Sequence, residues 1–104
     1  MENKKYKLRY LQTFEKDLLD IVEYIAIVLK NPLAAERLVD SIERALLRRL
    51  DSPLSFEKYH STKERKHPYY RIYVGNYVIY YVVIDDVMEV RRLLYNAMDV
   101  NKHL

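Results

Sequence analysis

The sequence predicts an α+β domain in which a helical hairpin packs on one face of an antiparallel sheet, in the order β-α-α-β-β-β. Three observations predict this fold class. Two long segments in the first half have the apolar spacing of amphipathic helices. Three short segments in the second half are rich in Tyr, Val and Ile and are separated by tight-turn residues. One glycine and three prolines among 104 residues leave little chain for loops. We expect a single domain over residues 1–104.

The chain begins with a predicted strand over Lys5–Leu11, where basic and apolar residues alternate. This strand has no hairpin partner next to it in sequence, so we expect it at a sheet edge beside the second or the fourth strand. Thr13 is the expected N-cap of a helix that runs to Lys30. The apolar residues of that helix recur three and four positions apart: Phe14, Leu18, Ile21, Val22, Ile25, Val28 and Leu29.

The pair Asn31-Pro32 ends the first helix and starts a second one, because Asn can cap and Pro is tolerated at the first helical position. The second helix should run to about Asp51 and stop at Ser52-Pro53. Its predicted buried face consists of Leu38, Ile42, Ala45, Leu46 and Leu50. Its predicted solvent face carries Glu36, Arg37, Asp40, Glu43, Arg44 and Arg48.

A loop over Leu54–Pro68 precedes three predicted strands and two tight turns. The turn Gly75-Asn76 should be of type II′, which favours Gly at its first central position. The strand after it is apolar throughout, as is typical of a strand buried on both faces. In order, the elements are Tyr69–Val74, Gly75-Asn76, Tyr77–Ile84, Asp85-Asp86 and Val87–Leu94; Tyr95–Leu104 is left unassigned.

Composition points to a cytoplasmic protein, because a small secreted domain usually needs disulfides and this sequence has no Cys. We expect no export signal, and the longest apolar run is too short to span a bilayer. The net charge is +3, and five Lys or Arg fall within Glu57–Arg71. That cluster could face an acidic partner or nucleic acid, or it could be a solvated loop.

The residue types exclude several kinds of site. His at 60, 67 and 103 without Cys excludes a structural zinc site, and one glycine excludes a phosphate-binding loop. We expect neither a metal nor a cofactor. The chain has eleven Tyr, and six of them, at 69, 70, 73, 77, 80 and 81, fall on the first two predicted strands of the second half. They could simply pack the sheet, stack on bases, or form a protein interface, which we favour over base stacking.

The stretch HPYYRIYVGNYVIYYVV over residues 67–83, followed by RRLLYN over residues 91–96, resembles the RelE/ParE family of type II toxin–antitoxin toxins. The N-terminal strand and helical hairpin fit the same family, so the resemblance covers nearly the whole chain. It implies a toxin that is held inactive by a cognate antitoxin. RelE-like toxins cleave mRNA on the ribosome with basic residues and a Tyr, whereas ParE-like toxins inhibit DNA gyrase and are not nucleases.

Most positions that carry the nuclease residues in RelE-like toxins hold other residue types in this sequence. Only Arg71 retains the expected chemistry. The other four positions fall at Tyr73, Val78, Ala97 or Met98, and Leu104. The candidates to substitute from other positions are Arg65, Lys66, His67, Arg91, Arg92 and Tyr95.

We therefore expect a plasmid-stabilisation toxin of the ParE-like branch, which would not be an enzyme. The alternatives are a ribosome-dependent endoribonuclease and a degenerate member with only a binding role. The expected partner is an antitoxin with an acidic or amphipathic C-terminal segment, and the target is gyrase or the ribosome with its mRNA. Candidate antitoxin-binding residues are Arg37, Arg44, Arg48, Lys63 and Arg71.

Overall fold

A computed structural model describes residues 5–59, 66–96 and 103–104. Two helices lie on a four-stranded sheet, as the sequence predicts. The elements are strand β1 (Lys7–Tyr10), helix α1 (Gln12–Glu23), a π-helical turn (Tyr24–Val28), helix α2 (Pro32–Arg49), and strands β2 (Tyr70–Val74), β3 (Tyr77–Ile84) and β4 (Val87–Tyr95). No helix in the described part of the chain is long and apolar enough to cross a bilayer.

The sheet has the strand order β1-β4-β3-β2 and is mixed rather than antiparallel. β1 lies at an edge beside the fourth strand, one of the two predicted positions, but it runs parallel to β4. The expectation of an antiparallel sheet is wrong for this pair only, since β2–β3 and β3–β4 are antiparallel. Parallel neighbours need a long connection, which the helical hairpin and the β2–β3 hairpin supply.

Helix α1 begins differently from the prediction. Its N-cap is Leu11, which makes no side-chain capping bond. The predicted cap, Thr13, instead donates its hydroxyl hydrogen to the carbonyl oxygen of Arg91 at 2.8 Å. The prediction of a Thr13 cap is therefore wrong, because a tertiary acceptor on β4 replaces the local one. This bond ties the first turn of α1 to the sheet.

The first helix does not continue as an α-helix to Lys30, because it changes to a π-helical turn at Tyr24. The amide of Leu29 donates to the carbonyl of Tyr24 at 3.0 Å, a bond to the fifth preceding residue. This wider turn shifts the following side chains out of the predicted apolar stripe. Val28 and Leu29 are consequently 63% and 55% exposed, which corrects the expectation that they are buried.

Helix α2 and the two hairpins confirm their local signals. The Asn31 side chain accepts a hydrogen bond from the amide of Ala34 at 3.1 Å and so caps α2. Gly75 has a φ of +57°, and left-handed φ at the first turn position is what Gly permits. Asp85 has a φ of +55° in the second turn, a conformation that Asp tolerates better than most residues.

The core lies on both faces of the sheet. On the helix-covered face, Phe14, Ile42 and Leu46 pack against inward-facing residues of β2, β3 and β4. On the opposite face, which we call the open face, the buried cluster contains Tyr69, Val78, Tyr80, Val82 and Leu94, with Tyr59 and Leu104 packed against it. Burial of β3 on both faces is thus confirmed.

Candidate functional site

Arg71 is the sequence-predicted site residue that lies most clearly at the surface of the open face. It stands on the edge strand β2, opposite Tyr80 in the register. Its guanidinium carbon lies 5.0 Å from the ring centroid of Tyr59 and 5.7 Å from that of Tyr73. Cation–π attraction therefore holds the side chain between two rings. Among residues 5–59, 66–96 and 103–104, no carboxylate forms an ion pair with it.

Glu89 lies on the open face and bonds two arginines there. It is 6% exposed and accepts hydrogen bonds from Arg9 Nε and Arg91 Nε, both at 2.9 Å. Arg91 also donates to the Tyr69 hydroxyl at 3.4 Å. Burial alone would raise the pKa of Glu89, but the hydrogen bonds from Arg9 and Arg91 outweigh burial and leave that pKa below its usual value. Arg9 and Arg91 thus share the single negative charge of Glu89.

Arg92 is also held by an internal carboxylate. Its Nε and Nη2 donate to the two oxygens of Asp17 on α1, at 2.7 and 2.9 Å. One Asp17 oxygen also accepts from the amide of Leu93 at 3.0 Å, and Arg92 Nη1 donates to the carbonyl of His103 at 3.0 Å. Such a two-point pair is geometrically specific. Arg92 therefore joins α1, β4 and the C-terminal residues.

The predicted catalytic candidates do not converge on one point. Tyr95 ends β4 and packs edge-on against Tyr77, which faces the helices and not Arg71. Lys66 is exposed and His67 is half-buried, both in the segment before β2. Arg65 and the antitoxin candidate Lys63 lie outside the described residues, as do His60, Ala97 and Met98.

The three arginine candidates for antitoxin binding share one exposed stripe of α2. Arg37, Arg44 and Arg48 are spaced seven and four residues apart, so they lie on the same side of the helix. Arg44 donates to the carbonyl of Asp40 one turn earlier, at 3.4 Å. Arg71, the remaining described candidate, belongs to the open face and is separated from this stripe by the sheet.

An apolar cleft of about 330 Å³ lies between α1 and α2, next to the edge strand β1. Its walls are Tyr10, Phe14, Leu18, Val39, Ile42 and Leu46, with Glu15 and Glu43 also lining it. Burial, and then the negative charge of Glu43, raise the pKa of the Tyr10 hydroxyl. The cleft can accept apolar side chains beside a strand whose outer backbone edge is unpaired in the sheet order.

Comparison with known proteins identifies the family. A family model described as the ParE toxin of the type II toxin–antitoxin system parDE matches residues 8–100. The chain is a member of the ParE toxin family. No curated protein sequence matches it at a significant level.

The solved structures that resemble this ParE-family toxin support the fold. The chromosomal ParDE toxin–antitoxin system from P. aeruginosa has a TM-score of 0.67 at 14% identity, over 88% of this chain and 97% of that one. The E. coli DinJ-YafQ toxin–antitoxin complex has a TM-score of 0.55 at 12% identity, over 89% of this chain and 94% of that one. The predicted RelE/ParE-like fold is confirmed.

The sequence of this ParE-family toxin did not reveal the two carboxylates that pair with Arg91 and Arg92. Asp17 was one of several charges in an amphipathic helix, and Glu89 was the only carboxylate of β4. An isolated carboxylate in a buried strand was the available signal, because a buried charge requires a partner. Four of the six sheet tyrosines, Tyr69, Tyr70, Tyr80 and Tyr81, prove to be core residues, at most 6% exposed. The interface hypothesis is wrong for those four.

Proposed function

We propose that this type II toxin–antitoxin toxin is ParE-like in activity: it inhibits DNA gyrase in the bacterial cytoplasm and does not cleave RNA. One observation carries the proposal. The neighbouring arginines of β4 are bonded to the protein's own carboxylates, Arg91 to Glu89 and Arg92 to Asp17. Catalysis of phosphodiester cleavage needs charged donors aimed at the reacting phosphate. Guanidinium groups whose hydrogen bonds already go to the protein's own carboxylates supply little of that stabilisation.

The second candidate function is ribosome-dependent mRNA cleavage, and Arg71 is the observation that favours it. Its guanidinium is partly exposed between two tyrosine rings, on the open face. An arginine among aromatic rings is suited to a phosphate with a stacked base. Arg71 alone can bind RNA, but cleavage also needs a group that moves a proton, a role that a neighbouring tyrosine would have to fill.

A pair of assays on the purified toxin tests the two candidates. We expect loss of supercoiling activity when the toxin is added to gyrase, and no new cleavage sites when it is added to translating ribosomes and the mRNA is read by primer extension. The Arg71→Ala variant is the matched control on the ribosome. Codon-specific cleavage that disappears in this variant would contradict the proposal and support the nuclease. Activity in neither assay, with antitoxin binding intact, would identify a member with only a binding role.

We further propose that a cognate antitoxin covers the α1–α2 cleft, the edge of β1 and the arginine stripe of α2, and that the module stabilises a plasmid. An antitoxin segment could place apolar side chains in the α1–α2 cleft, add a strand to the free edge of β1, and set acidic residues against Arg37, Arg44 and Arg48 or the cluster that ends at Arg71. A disordered segment that folds on binding must bury roughly 1,000–3,000 Å² to offset its ordering.

Charge reversal on α2 tests this arrangement. We expect an Arg44→Glu and Arg48→Glu double variant to associate more slowly with the co-purified antitoxin, and to lose most of the salt dependence of the association rate between about 50 mM and about 500 mM. Lys30→Glu, at the exposed turn of the hairpin, is the control and should change little. An unchanged rate in the double variant would show that the α2 stripe is not the electrostatic contact.

A further inference from the structure

A cavity of about 550 Å³ opens between the C-terminal half of α1 and the adjoining ends of β3 and β4. Side chains from both layers line it: Asp17, Asp20, Ile21 and Tyr24 from the helical side, and Tyr77, Arg92, Leu93, Leu94, Tyr95 and His103 from the sheet side. Its volume is in the range of sites that hold a small ligand or an inserted side chain. It lies away from Arg71 and from the α2 arginines, so neither proposed contact accounts for it.

Three tyrosines give the cavity its chemical character. The rings of Tyr77 and Tyr95 meet at 66° with centroids 5.8 Å apart, an edge-to-face contact. Tyr24 joins them from the π-helical turn, and Tyr24 and Tyr95 are 52% and 49% exposed. Burial, followed by the neighbouring Tyr95 and Tyr24, raises the pKa of the Tyr77 hydroxyl. Neutral phenol rings offer negative ring faces and hydroxyl oxygens, both of which attract a cation.

Among the charged groups around the cavity, Asp20 is the one that can accept another cation. Arg92 lines the wall, but its guanidinium is bonded to both oxygens of Asp17 and to the carbonyl of His103. The Arg92 guanidinium is therefore already bonded to acceptors within the protein. Asp20 stands at the surface, where it pairs with Lys16 at 2.9 Å, and the two side chains are 59% and 77% exposed. Such an exposed pair is weak, so Asp20 can turn to another cation at little cost.

Several exposed apolar side chains follow Tyr24 along the chain. Ile27 and Val28 follow Tyr24 in the π-helical turn and are 69% and 63% exposed. Leu29 and Leu33 extend this patch across the hairpin turn, at 55% and 54% exposed. π-Helical turns occur often at functional sites, and contiguous exposed apolar side chains commonly mark a protein interface. A partner that enters the cavity would also meet these side chains.

We propose that the cavity bounded by Tyr24, Tyr77 and Tyr95 binds an arginine side chain, presented by an apolar segment of a partner protein. The planar guanidinium can stack on a tyrosine ring while its hydrogens bond the hydroxyl oxygens and Asp20. The apolar neighbours of that arginine cover Ile27 and Val28. This binding site is distinct from the proposed activity and holds whether the toxin acts on gyrase or on RNA.

The first test uses N-acetyl-arginine amide as the probe and N-acetyl-citrulline amide as its uncharged isostere. We expect saturable NMR shifts of the Tyr24, Tyr77 and Tyr95 ring signals in the full chain with the arginine probe, at millimolar concentration. The citrulline probe should cause at most weak shifts at the same rings. The proposal is overturned if the arginine probe causes no saturable shift, or if citrulline binds equally well.

Variants of the exposed ring complete the test. Tyr24→Leu should weaken binding of the arginine probe by about two- to thirty-fold, the factor expected for one cation–π contact. Tyr24→Phe keeps the ring and should bind within about threefold of the unmodified chain. Tyr73→Leu is the matched control, because Tyr73 is 59% exposed and lies on β2, away from the cavity. If Tyr24→Leu and Tyr95→Leu both bind as the unmodified chain does, the cavity is not the binding site.

Discussion

Replacing Ile42 with alanine should lower the free energy of unfolding by about 2–5 kcal/mol, which is the usual range for removing a large aliphatic side chain from a core. Ile42 is 3% exposed and packs in the cluster on the helix-covered face, with Phe14 and Leu46. The loss combines the transfer free energy of the removed methyl and methylene groups with the cavity they leave. A domain of this size has roughly 5–15 kcal/mol of stability in total, so this single change removes a large part of it. Urea unfolding followed by circular dichroism measures the difference.

Leu47→Ala is the control for this prediction, because it truncates a similar side chain on the same helix. Leu47 is 53% exposed, so its truncation should change the free energy of unfolding by less than about 0.5 kcal/mol. If Ile42→Ala costs as little as Leu47→Ala, the assignment of the buried face of α2 is wrong. If both are costly, the exposed side of α2 is covered in solution by another molecule.

The sequence predicts well the elements whose ends are determined by neighbouring residues in the chain. Helix α2 begins at Pro32 because Asn31 caps it and Pro fits the first turn, and both requirements are visible in two adjacent letters. The hairpin at Gly75 follows from the conformational freedom of one residue. β3 is recovered at both ends because tight turns flank an unbroken apolar run. In each case the deciding signal lies within one element or the turns beside it.

What the sequence does not predict depends on contacts between distant parts of the chain. The parallel pairing of β1 with β4 joins residues about 80 apart, and no local pattern distinguishes it from antiparallel pairing. The same distance separates Thr13 from the Arg91 carbonyl that replaces its capping role. The β3–β4 register is irregular at Tyr80–Tyr81, where Arg91 has no partner on β3. Side chains of β4 therefore do not alternate regularly between the two faces of the sheet at this point. The alternation rule therefore fails for this strand.

The sequence predicts only part of the candidate site, because the rest depends on contacts between distant parts of the chain. The family resemblance led to Arg71, and the structure places that residue among aromatic rings at the surface. The chemistry of Arg91 and Arg92 depends instead on which carboxylates fold against them. A guanidinium beside a buried carboxylate is a structural group, whereas the same guanidinium facing solvent is available to a ligand. Sequence shows the arginines, but only the fold shows that Glu89 and Asp17 form ion pairs with them.

Replacing Glu89 with glutamine should lower the free energy of unfolding by about 1–3 kcal/mol at neutral pH. Breaking a fully buried ion pair costs roughly 3–5 kcal/mol, and we expect less here because the side chains of Arg9 and Arg91 are 52% and 29% exposed. Glutamine preserves the volume, so the effect reports charge and hydrogen bonding and not a cavity. Thermal and urea unfolding of both proteins at several pH values measures it.

The pH dependence of that difference separates a charge effect from a packing effect. The pKa of Glu89 is below its ordinary value of 4.5 in the folded protein, so the carboxylate contributes its full stabilisation above about pH 4.5. As the pH falls through the lowered pKa of the folded state, the carboxylate becomes protonated and the contribution is lost. The stability gap between the unmodified chain and Glu89→Gln should therefore be constant above pH 4.5 and should close in more acidic solution. Asp86→Asn, which breaks the exposed pair with Lys7, should cost under about 1 kcal/mol at any pH. A gap that stays open in acid would mean that glutamine disturbs the packing around residue 89, and that the bonds from Arg9 and Arg91 are not what makes Glu89 stabilising.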